Sequence, residues 1–149
     1  MLSRREHASA EVAERLREQG YAAPLIETLV SELVEERLLD DERYAQAVVR
    51  ARAARGKGPR RIRMELVEAG VGEVLISQAL ETAPDFHAIA RALRQRKFGP
   101  EAPADWAERS RQSRFLQYRG FSNDHIASAF ESSGADDPDF PELSADDDP

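Results

Sequence analysis

Side chains able to do covalent or metal chemistry are sparse in this sequence. The three histidines, His7, His87 and His125, stand far apart, none with a second histidine at i, i+4, so no helical metal pair forms. Each reads as a surface or half-buried helix residue. There is no cysteine, which removes disulfides and thiolate metal sites and suits a reducing compartment. Gly56-Lys57-Gly58 has the look of a phosphate loop. The upstream glycine and the following Ser/Thr of such a loop are missing, however, and no strand precedes it. Asp40-Asp41 is explained by capping, as an N-cap followed by a first-turn acid. No catalytic constellation, metal site or cofactor is expected, and the chain reads as a non-enzyme.

Positive charge is the chemistry that remains. From Arg50 to Arg63 there are seven Lys/Arg residues, namely Arg50, Arg52, Arg55, Lys57, Arg60, Arg61 and Arg63, and no acid. A basic run is often only a solvated face. Here it is uninterrupted and straddles a corner, which favours contact with a polyanion or an acidic groove. Arginine outnumbers lysine 19 to 2, as bidentate contacts to phosphate or carboxylate would require, although a high-GC genome gives the same bias. Further along come Arg91, Arg94, Arg96, Lys97, Arg111, Arg114 and Arg119. Of these, Arg111, Arg114 and Arg119 are the second set of candidate binding residues. Trp106, Phe115 and Tyr118 recur at helical spacing and read as core rather than as a contact surface.

The net charge of −7 conceals this polarity. Residues 1–49 hold six bases against eleven acids, residues 50–63 hold seven bases alone, and residues 64–133 hold eight against ten. The last seven acids lie in residues 134–149, which are rich in proline and contain no base; they are expected to be disordered, and either to compete with phosphate for the basic middle or only to aid solubility. No apolar run approaches 18 residues and no signal-peptide pattern opens the chain, so a cytoplasmic protein without membrane contact is expected.

The elements that must position these charges form a repeat. Leu16, Leu66 and Leu116 are fifty residues apart, as are Gly20, Gly70 and Gly120, each glycine followed by an apolar residue, Tyr21, Val71 or Phe121. Ile26, Ile76 and Ile126 keep the same offset, and so do Val30, Leu80 and Phe130. One column fails, since Val12 and Ile62 are answered by polar Gln112. The leucine suits a helix core face and the glycine a left-handed C′ position. The two apolar residues that follow suit a hydrophobic staple onto the next helix, N-capped at Ala22, Gly72 or Ser122.

The pattern predicts helices at about 9–19 and 24–36, at 41–55, 59–69 and 73–82, and at 85–97, 104–119 and 123–132. Met1 to Glu6 reads as the last turn of a helix otherwise missing. The expected architecture is all-α: tandem three-helix units forming an extended, curved array, with 1–39 a truncated first unit, 40–83 the second, 84–133 the third and 134–149 an acidic tail. In the corner, Arg60 and Arg63 share one face of their helix while Ile62, Leu66 and Ala69 line the other, and Arg52 and Arg55 share a face of the helix before it.

Leu38 to Val71, LLDDERYAQAVVRARAARGKGPRRIRMELVEAGV, resembles the signature of the RecX family. Lys97-Phe98-Gly99 and Arg114 to Phe121, RFLQYRGF, resemble further family blocks, and Arg5-Glu6-His7 the start of another. The resemblance implies a modulator of the RecA recombinase, acting as a monomer on the filament that RecA forms on single-stranded DNA, suppressing its strand exchange and ATP hydrolysis and so modulating DNA repair and the SOS response. It also implies a full helix where this chain has only Met1 to Glu6. The alternative reading is a stand-alone DNA-binding regulator using a helix-turn-helix. Against it, the third helices EVLISQALE and NDHIASAFE carry no arginine or lysine to read bases.

Overall fold

The computed structural model describes residues 6–131. Among these there are eight helices and no strand: α1 Ser9–Glu18, α2 Ala23–Glu35, α3 Asp41–Ala54, α4 Pro59–Glu68, α5 Glu73–Glu81, α6 Phe86–Phe98, α7 Trp106–Tyr118 and α8 Asn123–Ala129. The all-α expectation holds, and each helix lies within a few residues of its predicted bounds. The acidic tail and the opening residues Met1 to Arg5 lie outside the described residues.

The fifty-residue repeat is visible in the backbone. Gly20, Gly70 and Gly120 have φ of 93°, 85° and 100°, a region costly for residues with a Cβ. Behind each, the repeat leucine accepts a closing hydrogen bond. Tyr21 N–H donates to Leu16 O at 3.2 Å, Val71 N–H to Leu66 O at 3.0 Å and Phe121 N–H to Leu116 O at 3.1 Å. This is the Schellman closure of a helix end. Leu66, Leu116, Ile76 and Phe121 are completely or almost completely buried, so the repeat leucine serves both core and backbone. Tyr21 at the same register is 46% exposed: the first copy keeps the geometry without the burial. Of the three N-caps only Ser122 makes a side-chain bond, completed into a capping box by His125.

Capping accounts for Asp40 and Asp41, but in two places. Asp40 Oδ1 accepts from Arg43 N–H within its own helix at 3.1 Å. Asp41 Oδ1 accepts from Ser9 N–H at 2.8 Å, at the start of α1, where the N-cap Ala8 has no side chain to offer. His7 is 4% exposed, against the expectation of a surface or half-buried position, and its Nδ1 lies 3.0 Å from Glu11 Oε1.

By spatial contact the chain forms two compact units. The first comprises the chain up to Val49 together with Met64–Thr82; the second comprises Arg50–Arg63 together with the chain from Ala83. Helices α3 and α4 each contribute to both. In the second unit α6 packs chiefly against α8 and, to a lesser degree, against α7. Its buried apolar residues include Phe86, Ile89, Leu93, Phe115, Leu116, Phe121 and Ile126.

Candidate nucleic-acid interface

The basic corner is built against the end of α7. Helix α3 closes on Gly56, at φ 78°, with Gly56 N–H donating to Ala53 O at 2.9 Å and Lys57 N–H to Arg52 O at 3.1 Å. Helix α4 then begins at Pro59. The first N–H groups of a helix have no partner within it, and here two donors at its start find carbonyls of α7's C-terminal end. Gly58 N–H donates to Arg119 O at 2.8 Å and Arg60 N–H to Gly120 O at 3.0 Å. These donors are spent, so the corner holds no phosphate loop. The approach is backbone against backbone: a Cβ on Gly58 would lie 2.4 Å from Gly120 C, and one on Gly120 would lie 2.7 Å from Arg61 N.

Arg119 completes this junction and corrects one sequence expectation. It is 3% exposed, and its guanidinium donates to Gly56 O at 3.2 Å and Arg55 O at 2.6 Å. It fixes the corner from beneath instead of presenting a charge to a partner. The other candidates sit at the surface to different degrees. Arg50, Arg55, Arg60, Arg111 and Arg114 are exposed, while Arg52, Lys57, Arg61 and Arg63 are half-buried.

All ten candidates belong to the second unit. Among the described residues this unit holds fifteen bases against six acids, a net of +9, and the first unit four bases against fifteen acids, a net of −11. The two sets of arginines that the sequence separates by some fifty residues thus belong to a single compact body whose described residues are positive on balance.

Several of these cations rest on aromatic rings. The Arg61 guanidinium lies 4.6 Å from the centroid of Tyr118, Arg111 lies 4.9 Å from Phe98, and the Lys97 ammonium lies 4.5 Å from Phe115. Phe98 and Phe115 meet edge to face at 5.4 Å. Burial, then the nearby charges of Arg111 and Arg119, hold the Lys97 pKa below its ordinary value. Phe115 is core as expected, but Tyr118 is 42% and Trp106 78% exposed, which corrects the reading of all three as core. They are the first and last residues of α7.

A buried polar pair explains the failed column of the repeat. Arg94, read as one more surface cation, is 3% exposed, and Gln112 is 4% exposed. Arg94 donates to Ala129 O at 2.6 Å and to Gln112 Oε1 at 3.2 Å, and lies 5.1 Å from the Phe130 centroid. Burial, then the charge of Arg109, lowers its pKa from the usual arginine value. Gln112 in turn donates to Glu108 Oε1 at 3.0 Å. Hydrogen bonds from Arg111 and then Gln112 bring the Glu108 carboxyl down to about 2. The only clue in the sequence was the polar intrusion Gln112 in an apolar column, since Arg94 is one of several cations of α6 and nothing local sets it apart.

Comparison with known proteins gives a consistent picture. Residues 40–80 match the family model described as RecX, second three-helix domain, and residues 85–130 match RecX, third three-helix domain. The regulatory protein RecX of Halorhodospira halophila is 43% identical over 138 residues, 92% of this chain and 86% of the relative. That of Pseudomonas savastanoi pv. phaseolicola is also 43% identical, over 92% of this chain and 89% of its own length. The crystal structure of RecX from Lactobacillus salivarius superposes with a TM-score of 0.75 over 86% of both chains at 22% identity, which speaks for the fold alone. No helix among the described residues is long and apolar enough to cross a membrane.

Proposed function

The chain belongs to the RecX family, and on that premise we propose that it binds RecA–single-stranded-DNA filaments through the basic face of its second unit. Binding inhibits the filament's ATP hydrolysis and strand exchange, and so modulates recombinational repair and the SOS response. The protein itself acts as a cytoplasmic monomer without catalytic activity. The observation that carries this is the segregation of charge among the described residues, +9 in one compact unit and −11 in the other. A protein meant only to be soluble has no need to separate its signs, whereas one that docks on a polyanion gains by presenting a single sign to it.

The role of the corner residues is electrostatic. Arg50, Arg55, Arg60 and Arg114 are exposed, and planar guanidinium groups match phosphate and carboxylate oxygens two at a time. Because its backbone is pinned to α7, the corner presents these charges without first ordering a loop, which lowers the entropy cost of binding.

The test is the single-stranded-DNA-dependent ATPase of RecA with the protein present at equimolar ratio. Inhibition by the wild type is expected, with severe loss of inhibition and of filament binding in Arg55→Glu with Arg60→Glu. Both side chains are exposed; glutamate at 60 suits the dipole in the first turn of α4, and at 55, just past the end of α3, it opposes the dipole by only about 0.3–1 kcal/mol, so helix content should not change. An unaltered ATPase with wild-type protein would sink the regulator reading. Wild-type inhibition by the folded double variant would move the contact surface elsewhere.

A further inference from the structure

Tyr118 is an anomaly on the basic unit. It is the last residue of α7, and it keeps 42% of its surface exposed although the Arg61 guanidinium lies 4.6 Å over its ring. One helical turn back stands Arg114 and two turns back Arg111, both exposed, so the three share a face of α7. Arg111 is paired with Glu108, which leaves Arg114 and Arg61 as the cations beside the ring, and an aromatic ring left open there is poorly explained by folding. It buries only part of its apolar surface, and the arginine over it gains little at so exposed a site.

The arrangement suits a single-stranded nucleic acid. Such chains are held by a basic track that follows the phosphates and by aromatic rings on which unpaired bases stack. The Arg61 guanidinium carbon lies over one side of the ring, which leaves the other side for a base, and the five N–H donors of a guanidinium suit a phosphate oxygen. Trp106 is more exposed at 78%, but it sits between the N-cap Asp105 and Glu108, whose negative charges disfavour a phosphate chain. Tyr118 is the exposed aromatic with a guanidinium over its ring and Arg114 one turn away.

We propose that Tyr118 is a base-stacking residue: the basic face takes single-stranded nucleic acid directly, with one base on the Tyr118 ring and flanking phosphates on Arg61 and Arg114. This rests on the reading of that face as the filament-binding surface, and adds to it a contact with bases beside the contacts with charge.

The full-length protein is titrated by fluorescence anisotropy against a dye-labelled oligothymidylate and an abasic oligomer of equal length, at several salt concentrations. Tyr118→Leu should weaken binding to oligothymidylate by roughly 5- to 100-fold, the range that a stacked base commands. It should leave the abasic oligomer unaffected and the slope of log affinity on log salt unchanged, because no phosphate contact is lost. Tyr118→Phe should stay within about twofold of wild type, since the ring is what stacks. Circular dichroism of each variant reports helix content. Equal losses on both oligomers, or a shallower salt slope, would show that the ring only props Arg61, and would overturn the proposal. So would an unchanged affinity, or no binding of oligothymidylate by the wild type. The recombinase ATPase separates the two levels. If the wild type inhibits it without preferring bases, stacking falls and the regulator stands; if it does not inhibit, the regulator falls.

Discussion

Alanine substitution at the three repeat glycines should separate backbone strain from close approach, because the three positions share one register and differ in their neighbours. Each carries φ between 85° and 100°, so each alanine meets the same conformational cost, about 1–2 kcal/mol. That cost is partly offset by the stiffer unfolded chain, worth about 0.4–1 kcal/mol. At Gly20 nothing lies within 4 Å of the added Cβ, and a net loss of about 1 kcal/mol is expected. At Gly70 the Cβ meets Ala10 Cβ at 2.5 Å, so α1 must shift, which adds an overpacking cost of about 1–2 kcal/mol. At Gly120 it meets Arg61 N at 2.7 Å and Arg61 Cγ at 2.5 Å. The start of α4 must then lift, and the bonds from Gly58 and Arg60 weaken, at about 1 kcal/mol each. The total for Gly120→Ala is about 3–5 kcal/mol. Urea unfolding followed by circular dichroism would read these as midpoint shifts of about 0.5, 1 and 2 M at an m-value near 2 kcal/mol/M. Equal shifts for the three variants, or the largest at Gly20, would refute the argument that backbone approach outweighs φ strain here.

Two further outcomes follow from the buried polar groups. Gln112→Leu restores the apolar column shared with Val12 and Ile62, yet should destabilise by about 1–3 kcal/mol, because Arg94 loses a buried acceptor. Adding Arg94→Met should recover part of that loss in the same urea titration; a stable single variant would show that the pair does not matter. His125 is held neutral by burial and then by His87, against the weaker opposing pull of Asp124 and Asp85. Its folded pKa lies below the unfolded value, so the unfolded state takes up the proton first. Stability should therefore be full above about pH 6.5 and fall below it. Protonation also removes the Nδ1 acceptor of the Ser122 capping box. Urea midpoints at pH 5.5 and 7.5 should differ less in His125→Gln than in the wild type.

Periodicity made the helices legible, since the glycine and leucine columns report local backbone geometry, which neighbours in sequence determine. The ends were read to within a few residues for the same reason. Arg37 was not foreseen: α2 closes through it at φ 61°, with Leu38 N–H donating to Leu33 O at 2.9 Å, so one helix end uses the glycine geometry without a glycine. The basic run was also legible, but not which arginines face outward. Arg94 and Arg119 look like Arg91 and Arg114 in one dimension. Their burial depends on carbonyls 35 and 63 residues away, which no local pattern records. Tyr118 was misjudged because helical spacing tells which residues share a face, not whether anything covers that face at the helix end.

The junction at Gly58 and Gly120 bears on how such a protein can change its copy number. The sequence lays the repeats out as tandem blocks, yet residues 50–63 complete their hydrogen bonding with Arg119 and Gly120 of the next block. A gene cut after residue 83 would leave the start of α4 with two orphaned donors and Arg55 without its guanidinium clasp. Excising a following block therefore costs the block before it the partners that close its corner.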